Sequence, residues 1–69
     1  MSEEDQLVKM ANQIAENFSF HEDPAAMLAD HLRRFWAPSM RQKLVRLAAE
    51  GEQRMAPAVK EIINRIDDA

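Results

Sequence analysis

The sequence predicts an all-α fold, a small bundle of three to four short amphipathic helices, and three observations predict it. The composition is poor in turn and strand formers, with one Gly, three Pro and no Tyr, and rich in Ala, Leu, Met, Glu, Lys, Arg and Gln, which favour helix. Apolar residues recur at helical spacing in four separate stretches. Residues that start or stop helices bound those stretches: Ser2, Asp23 with Pro24, Pro38 with Ser39, Gly51 and Pro57. Without an internal repeat or low-complexity tract, residues 1–69 read as a single helical domain.

The first helix is expected over about residues 3–18, where Leu7, Ala11, Ile14 and Phe18 form a core-facing stripe. Ser2 is its N-cap, and Glu3, Glu4 and Asp5 suit the positive end of the helix dipole. The second runs over about 24–36 from an Asp23 cap and Pro24, with Ala25, Leu28, Leu32 and Phe35 on the core side and Ala29 and Trp36 on a shoulder. Pro38 ends it, because the ring disfavours α geometry at Ala37. The third, over about 40–50, follows a Ser39–Gln42 capping box and presents Met40, Leu44, Leu47 and Ala48 before Gly51 stops it. Pro57 opens the fourth, over about 57–67, whose Val59, Ile62, Ile63 and Ile66 make the most apolar face. Four such helices either close as a compact bundle or lie open as pairs against a larger protein.

A chain this short buries only about 60% of the surface that it exposes when unfolded. Eleven of its hydrophobic residues are Ala and five are Met, leaving sixteen branched or aromatic side chains. Cysteine is absent, so neither disulfides nor thiolate-held metals can support so thin a core, and a partner subunit becomes the natural expectation. No stretch approaches the ~20 apolar residues of a membrane span. The acidic start is the reverse of a signal peptide's basic region, and the expected address is cytoplasmic, away from membranes.

Charge is the least uniform property of the chain. Residues 1–30 carry minus 6, residues 31–49 carry plus 5 with no acid, and residues 50–69 carry minus 2. The central island, His31 to Arg46, holds Phe35 and Trp36 beside Arg33, Arg34 and Arg41. Three readings of it stand open: a solvated face pairing with acids of the same chain, a phosphate or nucleic-acid patch, and a protein interface, since Trp and Arg concentrate binding energy. The net charge of minus 3 argues against nucleic acid, although a small nucleic-acid-binding or regulatory module remains the alternative reading. Trp36 reads either as a core anchor or as a group projecting toward a partner.

Catalytic and metal chemistry find little support. His21 and His31 are ten residues apart with no third ligand nearby, and His31 reads as a partly buried helix residue. No nucleophile with a neighbouring base, Gly-rich phosphate loop or supported carboxylate pair is evident. Glu3-Glu4-Asp5 and Asp67-Asp68 read as exposed ends, and Asn12-Gln13 is a polar pair in mid-helix where Gln13, Met10 and Asn17 form a shoulder beside the core stripe, either solvent-exposed or an interface edge.

The run Leu7-Val8-Lys9-Met10-Ala11-Asn12-Gln13-Ile14-Ala15, the centre His31-Leu32-Arg33-Arg34-Phe35-Trp36-Ala37-Pro38-Ser39-Met40-Arg41 and the tail Pro57-Ala58-Val59 resemble, in order, the delta subunit of soluble NAD-dependent formate dehydrogenase of the molybdenum or tungsten type. Two positions depart from that pattern. Ala37 replaces a residue that is often acidic there and caps a helix begun by Pro38, which moves the expected start of helix three to Ser39; Ser39 itself replaces a residue that is often basic. The resemblance implies a non-catalytic accessory subunit that supports assembly or stability by docking on the large alpha subunit. It further implies that the partner complex carries bis-molybdopterin guanine dinucleotide with Mo or W, iron-sulfur clusters, FMN and NAD, none of them bound by this chain. The docking residues expected on this reading are Met10, Asn12, Gln13, Arg33, Arg34, Trp36 and Arg41.

Overall fold

Four helices form where the capping residues permit them. The structure, a computed structural model, describes residues 2–66 in full and the backbone of Asp67. In chain order they are α1 (Glu3–Asn17), α2 (Pro24–Phe35), α3 (Pro38–Ala49) and α4 (Pro57–Asp67), with no strand among the described residues. The Ser2 hydroxyl accepts from the Asp5 amide at 3.1 Å, and an Asp23 carboxylate oxygen accepts from the Ala26 amide at 3.1 Å. Each bond satisfies an amide that has no partner in the helix it opens. The exposed end expected at Asp67-Asp68 lies outside the described side chains.

The start of α3 corrects the sequence expectation. It begins at Pro38, not at Ser39 or Met40, and the Ser39–Gln42 capping box does not form. The Ala37 carbonyl instead accepts from the Met40 and Arg41 amides at 3.0 and 3.2 Å, and no side chain caps the helix. Proline explains the choice: its φ already suits the first helical position, and it has no N–H to leave unmatched there. At the other end Gly51 has φ +86°, its amide donates to the Ala48 carbonyl, and the Glu52 amide reaches back to the Leu47 carbonyl. These paired bonds are those of a Schellman stop, which needs a left-handed residue at this place.

The helices close over one another around a shared core, with α4 packed chiefly on α2 and α3. Leu28, Leu32, Leu44, Val59 and Ile62 are fully buried, and the described residues span 31 × 22 × 18 Å. Along α1 the stripe is rotated from the expected one: Leu7, Val8, Ala11 and Ala15 are buried, whereas Ile14 and Phe18 are half-buried at its edge. Met55, in the connection from α3 to α4, adds a side chain to the core that helical periodicity had not supplied.

Gly51→Ala tests the stop of α3 in isolation, because a Cβ at Gly51 would meet nothing within 4 Å. The expected loss is conformational alone, about 1–2 kcal/mol. Thermal unfolding followed by circular dichroism should show the midpoint falling by roughly 4–8 °C per kcal/mol for a domain of this size.

Candidate interaction surface

The basic island divides into groups with different partners. Arg41, on the first turn of α3, is 8% exposed. Its Nη1 donates to the Trp36 carbonyl at 2.6 Å and the Arg33 carbonyl at 3.2 Å, with a longer contact to the Leu32 carbonyl at 3.4 Å. Leu32 already accepts from the Trp36 amide, so the two N–H groups on Nη1 go to Trp36 and Arg33, whose carbonyls the end of α2 leaves without helical donors. A fixed positive charge also complements the negative end of the α2 dipole. Lys43 bonds Glu3 of α1 at 2.6 Å, and Arg34 pairs with Asp30 one turn earlier at 3.1 Å. Arg33 and Arg46 are exposed and form no ion pair among the described residues.

Trp36 is 6% exposed and belongs to the core, whereas Phe35, expected on the core stripe, is 72% exposed. The correction has a geometric cause. At about 100° per residue, Trp36 points between Ala25 and Ala29, while Phe35 lies about 80° from Ala25. The Phe35 ring instead packs on His31, centroids 4.7 Å apart, and His31 stands edge-on to Phe18 at 5.8 Å.

Asn12 joins two distant parts of the chain. Its Nδ2 donates to the Arg54 carbonyl at 2.7 Å and its Oδ1 accepts from the Ala56 amide at 2.8 Å, so one amide side chain grips the backbone on both sides of buried Met55. Beside it, Arg54 binds Asp5 of α1 at 2.6 Å and engages both carboxylate oxygens of Glu52, at 2.8 and 3.0 Å. Those bonds hold the Glu52 carboxyl down to about 2 and lower that of Asp5, the Arg54 side-chain hydrogen bond being the largest cause in each case. The same pairs raise the Arg54 guanidinium above its ordinary value. Sequence reasoning missed this cluster because its acids and base lie up to 49 positions apart, at Asp5 and Arg54.

Of the seven residues expected at an interface, Met10, Gln13, Arg33 and Arg34 present exposed surface. Asn12, Trp36 and Arg41 are engaged within the fold, and the structure separates the two groups by element: Met10, Asn12 and Gln13 on α1, the others at the α2–α3 corner. No group of three or more His, Asp or Glu that could hold a metal comes together among the described residues, and the groove between α3 and α4, lined by Val45, Ala48, Lys60 and Ile63, is open to solvent.

These features define a small all-α unit in which Arg41 and Asn12 brace its own backbone. The family described as NADH-dependent formate dehydrogenase delta subunit FdsD matches residues 6–63, and the chain belongs to it. The family's members are subunits of a formate dehydrogenase complex. No curated protein and no solved structure matches the chain.

Arg41→Met keeps the stem and removes the donors, so carbonyls at the end of α2 lose their partner; the expected cost is about 1.5–3 kcal/mol by chemical denaturation. The acid range tests Arg54. A carboxyl with a lowered folded value contributes stability that is complete above its ordinary value, 4.5 for Glu52, and is lost as pH falls through about 2. The difference in midpoint between the natural chain and Arg54→Met should therefore narrow from pH 4.5 toward 2 and stay flat above about pH 5.5.

Proposed function

We propose that this chain is a non-catalytic accessory subunit that supports assembly or stability of a cytoplasmic NAD-dependent formate dehydrogenase by docking on its large, molybdopterin-containing alpha subunit. One observation carries the reading beyond family membership: the groups that could have formed a reactive cluster are spent on internal bracing, with Arg41 on the end of α2, Asn12 on the α3–α4 connection and Arg54 between Asp5 and Glu52. What the chain offers outward is surface, from Met10 and Gln13 on α1 and Arg33 and Arg34 on α2. Asn12, Trp36 and Arg41 serve that surface by fixing its shape. The bis-molybdopterin guanine dinucleotide with Mo or W, the iron-sulfur clusters, FMN and the NAD site belong on the partner subunits in this reading, since a chain without cysteine has no thiolate for a cluster. No helix among the described residues is long and apolar enough to cross a membrane.

Affinity capture of the tagged chain from its native host tests the reading. A formate dehydrogenase containing molybdenum or tungsten should co-purify, its large subunit cross-linking to the tag-bearing chain, while the purified chain alone should not reduce NAD with formate. Recovery of the chain only as a lone monomer would overturn the proposal.

A further inference from the structure

The α2–α3 corner carries an aromatic side chain that the core does not use. Phe35 is 72% exposed, yet its ring is not loose: it packs on His31 at 4.7 Å, and His31 is backed by Phe18 at 5.8 Å. A ring supported in this way has less conformational freedom to lose on binding than a free side chain. Phe20, two residues beyond Phe18 in the turn to α2, is 95% exposed and adds further aromatic surface.

Charge selects the occupant. From Pro24 to Ala49 the sequence holds five basic residues against one acid, Asp30. Arg41 is committed to α2 carbonyls and Lys43 to Glu3, which leaves Arg33 and Arg46 without an ion pair among the described residues, Arg33 about 160° from Phe35 round α2 and Arg46 on α3. Arg34 uses only its Nε toward Asp30, in a pair whose side chains are 70% and 60% exposed, so its terminal nitrogens face water. An exposed pair of this kind is worth little and is readily exchanged for a better-shielded one. A second copy of this chain is a poor occupant, since a symmetric contact at Phe35 would set Arg34 against its own copy.

We propose that Phe35, with Arg34 as the guanidinium next to it on α2, is the anchor of the docking surface, and that it enters an apolar socket rimmed by carboxylates on a partner subunit. The inference rests on the accessory-subunit reading above and transfers the anchoring role from Trp36 to its neighbour. The socket takes the ring, and the Arg34 guanidinium meets a carboxylate in charge-assisted, forked hydrogen bonds.

The test uses formate dehydrogenase purified from cells lacking this chain and titrated with the natural chain or its variants, with Kd measured at several salt concentrations. Phe35→Ser should weaken binding about 10-fold or more, as loss of an interface anchor does. Arg34→Glu should also weaken it and flatten the salt dependence, whereas Lys60→Glu, the same charge change at an exposed position of α4, should shift it less than about 3-fold. Circular dichroism verifies folding of each variant; should Phe35→Ser lose helix, Phe35→Leu, which keeps an apolar side chain, reads the anchor by its intermediate loss. Tight binding by the natural chain that Phe35 and Arg34 variants leave unchanged overturns this inference and leaves the accessory role standing. Absence of binding by the natural chain overturns both. A dimer of the isolated chain that Phe35→Ser makes monomeric assigns the corner to self-association and also overturns it.

Discussion

The geometry of the α2–α3 corner depends on how the carbonyls at the end of α2 find donors. Pro38 has no N–H for the Arg34 carbonyl and holds Ala37 in extended backbone, φ −63° and ψ 149°, so α2 cannot continue. The chain must turn within two residues, and the Arg33 and Trp36 carbonyls are left facing inward near the start of α3. Arg41 answers both with one nitrogen. Because that nitrogen belongs to the first turn of the next helix, the bonds fix the angle between α2 and α3 as well as the end of α2. The corner therefore has one arrangement, with Trp36 in the core and Phe35 on the surface.

A second set of polar contacts holds α1. Its buried face is small, with two of four buried positions taken by Ala, so apolar area alone grips it weakly. Asn12 compensates with two bonds to the α3–α4 connection, and a side-chain amide that meets one carbonyl and one amide at once fixes position and orientation together. The ion pairs at Glu3 and Asp5 lie in more exposed surroundings, where each is individually weak. Their value lies in joining the N-terminal turn of α1 to two places that the sequence sets far away, Lys43 and Arg54.

The local level of the fold is legible in the sequence, and the bracing is not. Ser2, Asp23, Gly51 and Pro57 announce their helix ends because a cap acts within three or four residues of itself. Pro38 and Ser39 compete for the same start, and the rigid ring prevails over the hydroxyl. The exchange of Phe35 and Trp36 was also readable: the helical wheel places Trp36 between Ala25 and Ala29, and only the greater reach of the stripe Leu28, Leu32, Phe35 pointed the other way. Arg41 and Asn12 leave no such trace. An Arg near a helix start and an Asn inside a helix look like ordinary polar positions until a distant backbone is brought against them, and the Asn12–Ala56 bond spans 44 positions. Asn in mid-helix, a poor helix former, was the one available signal.

The division of the basic island has a further consequence for recognition. A segment of plus 5 suggests a broad electrostatic face, yet Arg41 is inside, Lys43 is tied to α1, and Arg34 is half-engaged. What remains near the exposed ring is narrow: Arg34 stands next to it, while the unpaired Arg33 and Arg46 lie about 160° round α2 and on α3. A diffuse positive face would bind anionic polymers with little regard for shape, whereas a narrow one requires a partner that matches both the ring and the charge next to it. Directional internal bonds make such a match possible in a domain of this size. A core of Ala, Leu and Ile tolerates small shifts of one helix against another, but the nitrogen of Arg41 holds the end of α2 to within hydrogen-bond distance and so holds Phe35 in place. The polar groups turned inward thereby determine what the few left outward can recognise.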